Sequence, residues 1–285
     1  INSKWTLVTY ASLKGRASDL KPGVYTFTDR MSVPEIVRML VTGVSNEFIF
    51  TVPEGWTSRD IARYLAEKKI ASAEEFRQIT NAAYSQKFNN MFYLLQDRPV
   101  SAGLEGFLFP DTYRIYKNTT EEDIVLKMLE NFHKKISPDV LAAISTREKT
   151  IFQVITMASL IEKEVVSDED RALVSGILWK RLDKKIPLQV DATITFIKNQ
   201  RLGPTLQTED NKISLADIKI DSPYNTYKYR GLPVGPISNP GLSAIKAAIY
   251  PKESSYFYYL SAPDGKTIFS KTLEEHKQAK LKYLK

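Results

Sequence analysis

The sequence contains no cysteine and only two histidines, His133 and His276, among 285 residues. The absence of cysteine excludes disulfide bonds and metal sites built from cysteine. Two histidines provide almost no material for a Ser-His-Asp triad or for a metal site that needs several histidines. The sequence also contains no Walker loop and no dinucleotide-binding fingerprint. We therefore predict a protein without a metal ion or another cofactor.

Long hydrophobic runs are also absent, so the chain contains neither a transmembrane segment nor a signal peptide. The first residue is Ile1 rather than Met, and it lies inside what looks like a folded module. We therefore expect that the chain has been shortened at its N-terminus and that an anchor could precede it.

Charge is in modest excess on the basic side, with a formal net charge of +7. Such a charge suits a polyanionic partner, namely nucleic acid, an anionic cell-wall polymer or a membrane surface. The lysines and arginines are scattered and form no basic block, and no nucleic-acid-binding motif is present. We therefore predict no nucleic-acid partner. The hydrophobic fraction of 43% is typical of a globular protein, and the length allows two domains.

A faint repeat marks the N-terminal region. A predicted strand at residues 25–27 precedes a helix at 32–40, and the same order recurs with a strand at 50–52 and a helix at 58–65. Each helix begins with a capping serine and continues as acid-Ile-x-Arg-x-Leu. This loose pattern resembles LysM glycan-binding modules, although chance similarity of two strand-helix pairs is the alternative. We predict a LysM-like glycan-binding region over residues 1–98.

The segment 151–165, IFQVITMASLIEKEV, predicts the central helix of the chain. Its apolar residues recur at helical spacing and form one stripe. Glu162 occupies the next position of that stripe, whereas Lys163 and Glu164 turn away from it. A carboxyl at this position either lies at the solvent-exposed edge of the stripe or is buried. In the second case burial raises its pKa, as a general acid at neutral pH requires. From its position alone, Glu162 is predicted to be a residue at the solvent-exposed edge of the stripe rather than a buried acid.

Five segments carry a family resemblance. They are LEGFLFPDTY (104–113), MASLIEKE (157–164), LQVDAT (188–193), SPYNTY (222–227) and GLPVGPISNPG (231–241). In this order they closely resemble the YceG-like endolytic murein transglycosylases, the MltG family. The resemblance implies an α+β fold in which LysM-like β-α-α modules at the N-terminus precede a mixed α+β catalytic domain. That domain would span residues 99–285 and contain the central glutamate-bearing helix.

The resemblance implies cleavage of the β-1,4 bond between N-acetylmuramic acid and N-acetylglucosamine within peptidoglycan strands, which leaves 1,6-anhydro ends. Glu162, the first glutamate of the A-S-x-x-E-K-E motif, would serve as both acid and base. One carboxyl then suffices, whereas ordinary glycosidases use two. Asp191, Asp111 and Glu105 are accordingly expected to orient groups or to support the fold.

Seven residues are predicted from the resemblance to bind substrate: Gln189, Asp191, Thr193, Tyr224, Asn225, Tyr227 and Asn239. Amides suit sugar hydroxyls and N-acetyl groups, and tyrosine rings suit stacking on sugars. The alternative is that the polar residues merely shape turns. The chain departs from the family pattern at Phe196 and Ile197, where Tyr and Gly are usual, and at Thr267, near which a histidine is usual.

The resemblance also implies a location and partners. We expect a single-pass protein of the cell membrane whose region 1–285 is extracytoplasmic, with an N-terminal membrane helix outside this chain. Peptidoglycan strands would be the substrate, and peptidoglycan synthesis enzymes would be partners. The alternative is a non-catalytic cell-wall-binding protein with a degenerate cleft. Glu162 argues against that alternative, and Phe196 favours it.

Overall fold

Helices are the main secondary structure of the described residues, and the strands form two small antiparallel sheets. The structure is a computed structural model that describes residues 4–23, 25, 27–28, 31–43, 47–202 and 213–284. The predicted mixture of helices and strands is confirmed. By its internal contacts the chain divides into two units, residues 1–51 with 112–120 and residues 52–111 with 121–285. The predicted boundary after residue 98 does not coincide with this division.

The first unit contains α1 (Lys4–Leu13), α2 (Val33–Thr42), β1 (Glu47–Thr51) and β2 (Thr112–Tyr116). Ser32 caps α2 in a capping box with Glu35, as the repeat pattern predicts for that serine. β1 pairs antiparallel with β2, which brings the rings of Phe50 and Tyr113 to 5.5 Å between centroids. The strand predicted at 25–27 includes Thr26, which lies outside the described residues. The LysM-like arrangement is therefore not confirmed.

The second unit contains the remaining elements. They are α3 (Ser58–Glu67), α4 (Ala73–Thr80), α5 (Ala82–Ser85), α6 (Glu121–Lys135), α7 (Pro138–Thr146), α8 (Ile151–Glu164), α9 (Asp168–Asp183), α10 (Asp191–Arg201), α11 (Leu242–Ile249), β3 (Tyr258–Ser261), β4 (Thr267–Ser270) and α12 (Leu273–Tyr283). β3 and β4 form an antiparallel hairpin. None of the helices within the described ranges is long and apolar enough to cross a membrane.

α8 is the core helix of the second unit. Thr150 and Gln153 form a capping box that starts it. Every residue from Val154 to Ile161 is buried, so two turns of the helix have no polar face. A helix that is buried on all sides is typical of a core packed by several neighbours, and α8 packs against α7, α9, α10 and α11. The helix is confirmed, but its burial is much wider than the predicted stripe.

Close packing fixes α9 beside this core. The indole N–H of Trp179 donates to the backbone carbonyl of Ala248 in α11 at 2.9 Å. One turn earlier on α9, a Cβ added to Gly176 would lie 2.1 Å from the carbonyl oxygen of Lys252, so that backbone approach requires glycine. The C-terminal end of α8 therefore projects from a well-fixed bundle.

Candidate active site

Asn239 is the hub that joins the loops around the end of α8. Its amide nitrogen donates to the carbonyl of Trp56 and to Glu105 Oε1, both at 3.0 Å. Its amide oxygen accepts the N–H groups of Gly106 and Leu108, both at 2.9 Å. The side chain is fully buried and its donors and acceptor are all used. This geometry supports a structural role rather than the predicted contact with sugar.

Two further residues predicted to bind substrate are buried within the fold. The amide nitrogen of Asn225 donates to the carbonyls of Ile218 and Ile220, and its oxygen accepts the N–H of Tyr227. Thr193 is also fully buried and donates its hydroxyl to a backbone carbonyl. For these residues the geometry favours the alternative, in which polar side chains shape turns and helix starts.

Glu162 is engaged in a buried ion pair. Its side chain is only 6% exposed, and Oε1 lies 2.7 Å from Nη2 of Arg171 in α9. Oε2 accepts the backbone N–H of Gly241 at 2.9 Å. Burial raises the pKa of Glu162, against the opposing effects of the Gly241 N–H and of Arg171. Glu162 lines neither of the two cavities at the end of α8.

Glu164, the last residue of α8, stands where these two cavities meet. The cavities have volumes of about 570 and 610 Å³, and both are lined by Lys163, Glu164 and Asp191. The Tyr259 hydroxyl and the backbone N–H of Ala192 lie near enough to the Glu164 carboxyl to lower its pKa. Burial raises the pKa of Glu164 to about 7, and nearby Asp191 adds to the increase. A carboxyl with such a pKa can act as a general acid at neutral pH.

Three of the predicted substrate-binding residues do gather beside Glu164. Asp191 begins α10 and accepts a hydrogen bond from the Tyr227 hydroxyl. Gln189 has a positive φ of 54° and accepts a hydrogen bond from Arg181 at 2.8 Å. Gln189 and Tyr227 line the 610 Å³ cavity, so their polar groups can contact a ligand there.

Tyr224 lies next to Phe196 rather than next to Glu164. Their ring centroids are 4.9 Å apart, and both rings line a third cavity of about 500 Å³. Burial raises the pKa of the Tyr224 hydroxyl to about 12, with a further contribution from Glu105. Phe196 also lines the 570 Å³ cavity, where it presents a ring without a hydroxyl. Thr267 donates its hydroxyl to Asp170 and lines neither cavity beside Glu164.

Glu105 and Asp111 support the fold, as the sequence analysis expects. Glu105 accepts the N–H and the hydroxyl of Ser58 at the start of α3, and burial raises its pKa to about 7. Asp111 is paired with Lys135 at 3.2 Å. Across the described residues, no three His, Asp or Glu side chains converge in a way that could hold a metal ion.

Three of the groups that line this site were not predicted from the sequence. Lys163 reaches from the site to the carbonyl of Gly55 at 3.3 Å. Arg181 is buried and holds Gln189, and Tyr259 in β3 contacts Glu164. None of the five motif segments includes Tyr259, so no signal in the sequence connected it to the glutamate helix.

Comparison with known proteins gives consistent results. A model of the YceG-like family matches residues 1–282. The chain is 32% identical over 292 residues to an endolytic murein transglycosylase of Bacillus subtilis (strain 168), covering 100% of this chain and 78% of that protein. It is 33% identical over 287 residues to an endolytic murein transglycosylase of Streptococcus pneumoniae (strain D39), covering 94% of this chain and 51% of that protein.

A solved structure shows a similar fold. The crystal structure of a yceG-like protein from Listeria monocytogenes, 29% identical in sequence, superposes with a TM-score of 0.69. The superposition covers 98% of this chain and 91% of the Listeria chain. The arrangement of helices and small sheets is thus shared with that protein.

Proposed function

This chain belongs to the YceG-like family, and on that premise we propose that it is an endolytic murein transglycosylase, the activity for which its curated relatives are named. Its substrate would be the glycan strands of peptidoglycan, cut between N-acetylmuramic acid and N-acetylglucosamine. The observation that carries this proposal is the placement of Glu164, a carboxyl with a pKa of about 7 at the meeting point of two cavities.

Glu164 takes the acid and base role that the sequence analysis gave to Glu162. A general acid must come within hydrogen-bond reach of the oxygen that it protonates. Both oxygens of Glu162 are already bound, to Arg171 and to the Gly241 N–H, and the side chain lines neither cavity. Glu164 is the alternative on the same motif, and its carboxyl is open to both cavities.

The proposed mechanism uses one carboxyl twice. Glu164 donates its proton to the glycosidic oxygen as the bond to C1 of the muramic ring breaks. The resulting carboxylate is stabilised by the Tyr259 hydroxyl and the Ala192 N–H, which both lower the pKa of Glu164. It then accepts the proton of the muramic 6-hydroxyl while O6 bonds to C1. The 1,6-anhydro ring closes, the glutamate is protonated again, and no water is consumed. Charge-assisted hydrogen bonds of this kind stabilise the carboxylate formed in the first step.

The two cavities support cleavage inside strands. Because Glu164 lies at the junction of both, sugars can bind on each side of the bond to be cut. Their volumes of about 570 and 610 Å³ are in the range of ordinary ligand sites.

Hydrolysis is a second candidate reaction, because Asp191 lies close enough to Glu164 to raise its pKa. Glycoside hydrolases pair two carboxyl groups, one as the acid and the other as a base or nucleophile. Asp191 could activate water in that scheme. Its carboxylate is instead engaged with the Tyr227 hydroxyl, which favours an orienting role.

The proposal is tested by digesting peptidoglycan with Glu164→Gln and with Glu162→Gln. Loss of a positioned acid typically costs about 10²- to 10⁴-fold in rate. We expect that loss for Glu164→Gln with the fold intact, whereas Glu162→Gln should retain far more activity below its melting temperature. Full activity of Glu164→Gln would contradict the assignment. Absence of products from the unmodified chain would favour the non-catalytic cell-wall-binding alternative.

We also propose that the protein acts outside the cytoplasm, where peptidoglycan lies, and that a single membrane helix beyond this chain anchors it beside peptidoglycan synthesis enzymes. The names of the relatives support the cell-wall substrate. Fractionation of the full-length protein in a bacterium, with protease added to spheroplasts, tests both points. Recovery in the soluble fraction, or protection of this region from protease, would contradict them.

The LysM-like role of residues 1–98 in glycan binding stays a proposal. Exposed aromatic rings in the first unit, Trp5 (69% exposed) and Phe27 (40% exposed), offer faces for sugars. We expect the substitutions Trp5→Ala and Phe27→Ala, added to inactive Glu164→Gln, to weaken pelleting with insoluble peptidoglycan. Undiminished pelleting would argue that glycan is bound by the second unit.

A further inference from the structure

The 610 Å³ cavity has a basic end that the proposed mechanism does not use. Arg181 of α9 and His276 and Lys280 of α12 line it, and we call these three residues the basic end. The His276 ring stacks on Tyr258 with 5.3 Å between centroids. Lys280 and Arg181 both lie near enough to His276 to act on its charge. Three cationic or proton-binding groups from two helices therefore converge on one wall.

No acidic partner balances the basic end within the described part of the chain. Arg181 donates to the carbonyls of Pro187 and Phe257 and to the Gln189 side-chain oxygen, none of which carries a charge. Neither His276 nor Lys280 forms an ion pair with a described carboxylate. The acids of this cavity, Glu164 and Asp191, are engaged by Tyr259 and Tyr227.

The charge of the ligand follows from this imbalance. The N-acetylated sugars of a peptidoglycan strand are neutral, so a cationic wall gains nothing from them. The peptide attached to the lactyl group of muramic acid is different, because it carries free carboxylates. His276 and Lys280 are four residues apart in α12, so they lie on the same face and can contact one ligand group.

We propose that the basic end binds a carboxylate of the peptide on muramic acid, so that peptide-bearing strands are preferred over bare strands. This inference rests on the proposed function, because it assumes that the cavity beside Glu164 holds a peptidoglycan strand. Arg181 supplies fixed positive charge and holds Gln189, while Lys280 supplies the flexible contact. The preference would therefore depend on Lys280 and would weaken as salt screens the charges.

The experiment compares two substrates, peptidoglycan strands that retain their peptides and the same strands after an amidase has removed them. We expect the unmodified chain to show a kcat/KM several-fold higher for peptide-bearing strands. The substitution Lys280→Ala should reduce this ratio by about two- to fivefold, as expected for a partly exposed charge pair. Lys277→Ala is the matched control, because Lys277 is exposed on the same helix outside the cavity.

A binding measurement separates recognition from chemistry. Inactive Glu164→Gln should bind peptide-bearing strands more tightly than bare strands, with a difference that shrinks at high salt. Equal kcat/KM for both substrates in the unmodified chain, or a ratio that Lys280→Ala and Lys277→Ala lower equally, would overturn the inference and leave the proposed function intact. Failure to cleave either substrate would instead overturn the proposed function, and this inference with it.

Discussion

Glu162 and Glu164 are two residues apart, yet their surroundings give them different chemistry. Burial raises the pKa of Glu164 from 4.5 to about 7, so the protonated acid is present below that pH and is lost above it. We expect kcat/KM to fall as pH rises through about 7. Kinetics over this range, with Glu105→Gln as control, test the assignment, because the pKa of Glu105 is also raised to about 7. If the fall of kcat/KM above about pH 7 disappears in Glu105→Gln, then it reports the titration of Glu105 and not of Glu164.

The same pKa shift affects stability in a defined direction. The folded chain holds the Glu164 proton more tightly than the unfolded chain, whose carboxyl titrates near 4.5. The associated contribution to the free energy of unfolding is thus fully present below pH 4.5 and is lost as pH rises through about 7. A loss of activity above neutral pH should therefore be checked against unfolding before it is assigned to the acid.

Tyr259 gives a second prediction at this scale. Its hydroxyl lies beside Glu164 and lowers the pKa of that carboxyl against the effect of burial. Tyr259→Phe should therefore move the basic limb of the pH profile upward and reduce kcat, because the carboxylate formed in the first step loses a donor. Tyr256→Phe is the control, because the Tyr256 ring packs against Phe269 and lines neither cavity beside Glu164. An unshifted limb in Tyr259→Phe would refute a positioning role.

At the scale of helices, sequence could predict that α8 exists but not which of its glutamates is used. The apolar spacing predicts the helix correctly. A single apolar stripe implies that the rest of the helix surface is polar. Residues 154–161 have no polar face, because helices pack around α8 on all sides. Beyond the buried turns, neighbouring elements decide the environment of each side chain. Arg171 of α9 reaches Glu162, and Tyr259 of β3 reaches Glu164.

The ion pair between Glu162 of α8 and Arg171 of α9 predicts that the two glutamates contribute differently to the free energy of unfolding. The side chains of Glu162 and Arg171 are 6% and 9% exposed, so a neutral residue at position 162 would leave the buried Arg171 with only the exposed Asp168, 3.5 Å away, as a counter-charge. Removing one member of such a pair typically costs about 3–5 kcal/mol. We expect Glu162→Gln to lower the free energy of unfolding by about 3 kcal/mol, and Glu164→Gln by much less. Denaturant unfolding of both variants decides the matter, and equal losses would contradict it.

For the molecule as a whole, the ordered motifs predicted the family better than the role of each residue. One of the five segments forms the end of α8, and the amides of three others serve different purposes. The amide of Asn225 is bound to backbone groups and that of Asn239 to backbone groups and Glu105, whereas Gln189 lines a cavity. Sequence cannot separate these cases, because an amide that folds a loop and one that binds sugar have the same chemistry. Only its partners in three dimensions distinguish them.

The chemical structure of the products shows whether the reaction is transglycosylation or hydrolysis. If Glu164 is the acid and Asp191 only orients, water has no base and the muramic 6-hydroxyl attacks, favoured because it is already tethered to the reacting sugar. Products should then be lighter than hydrolysis products by one water, about 18 Da, and lack a reducing muramic end. Mass spectrometry in heavy-oxygen water tests this expectation.

The order in which products of different length appear tests whether sugars bind in both cavities beside Glu164. With sugars bound on both sides of Glu164, cleavage should begin within strands, and early samples should contain fragments of mixed length. Asp191→Asn separates the two chemistries, since it removes the carboxylate that hydrolysis requires but keeps an acceptor for Tyr227. If the unmodified chain incorporates heavy oxygen into its products and Asp191→Asn does not, the protein is a hydrolase. Release of terminal disaccharides alone from the outset would contradict cleavage within strands and leave the acid assignment standing.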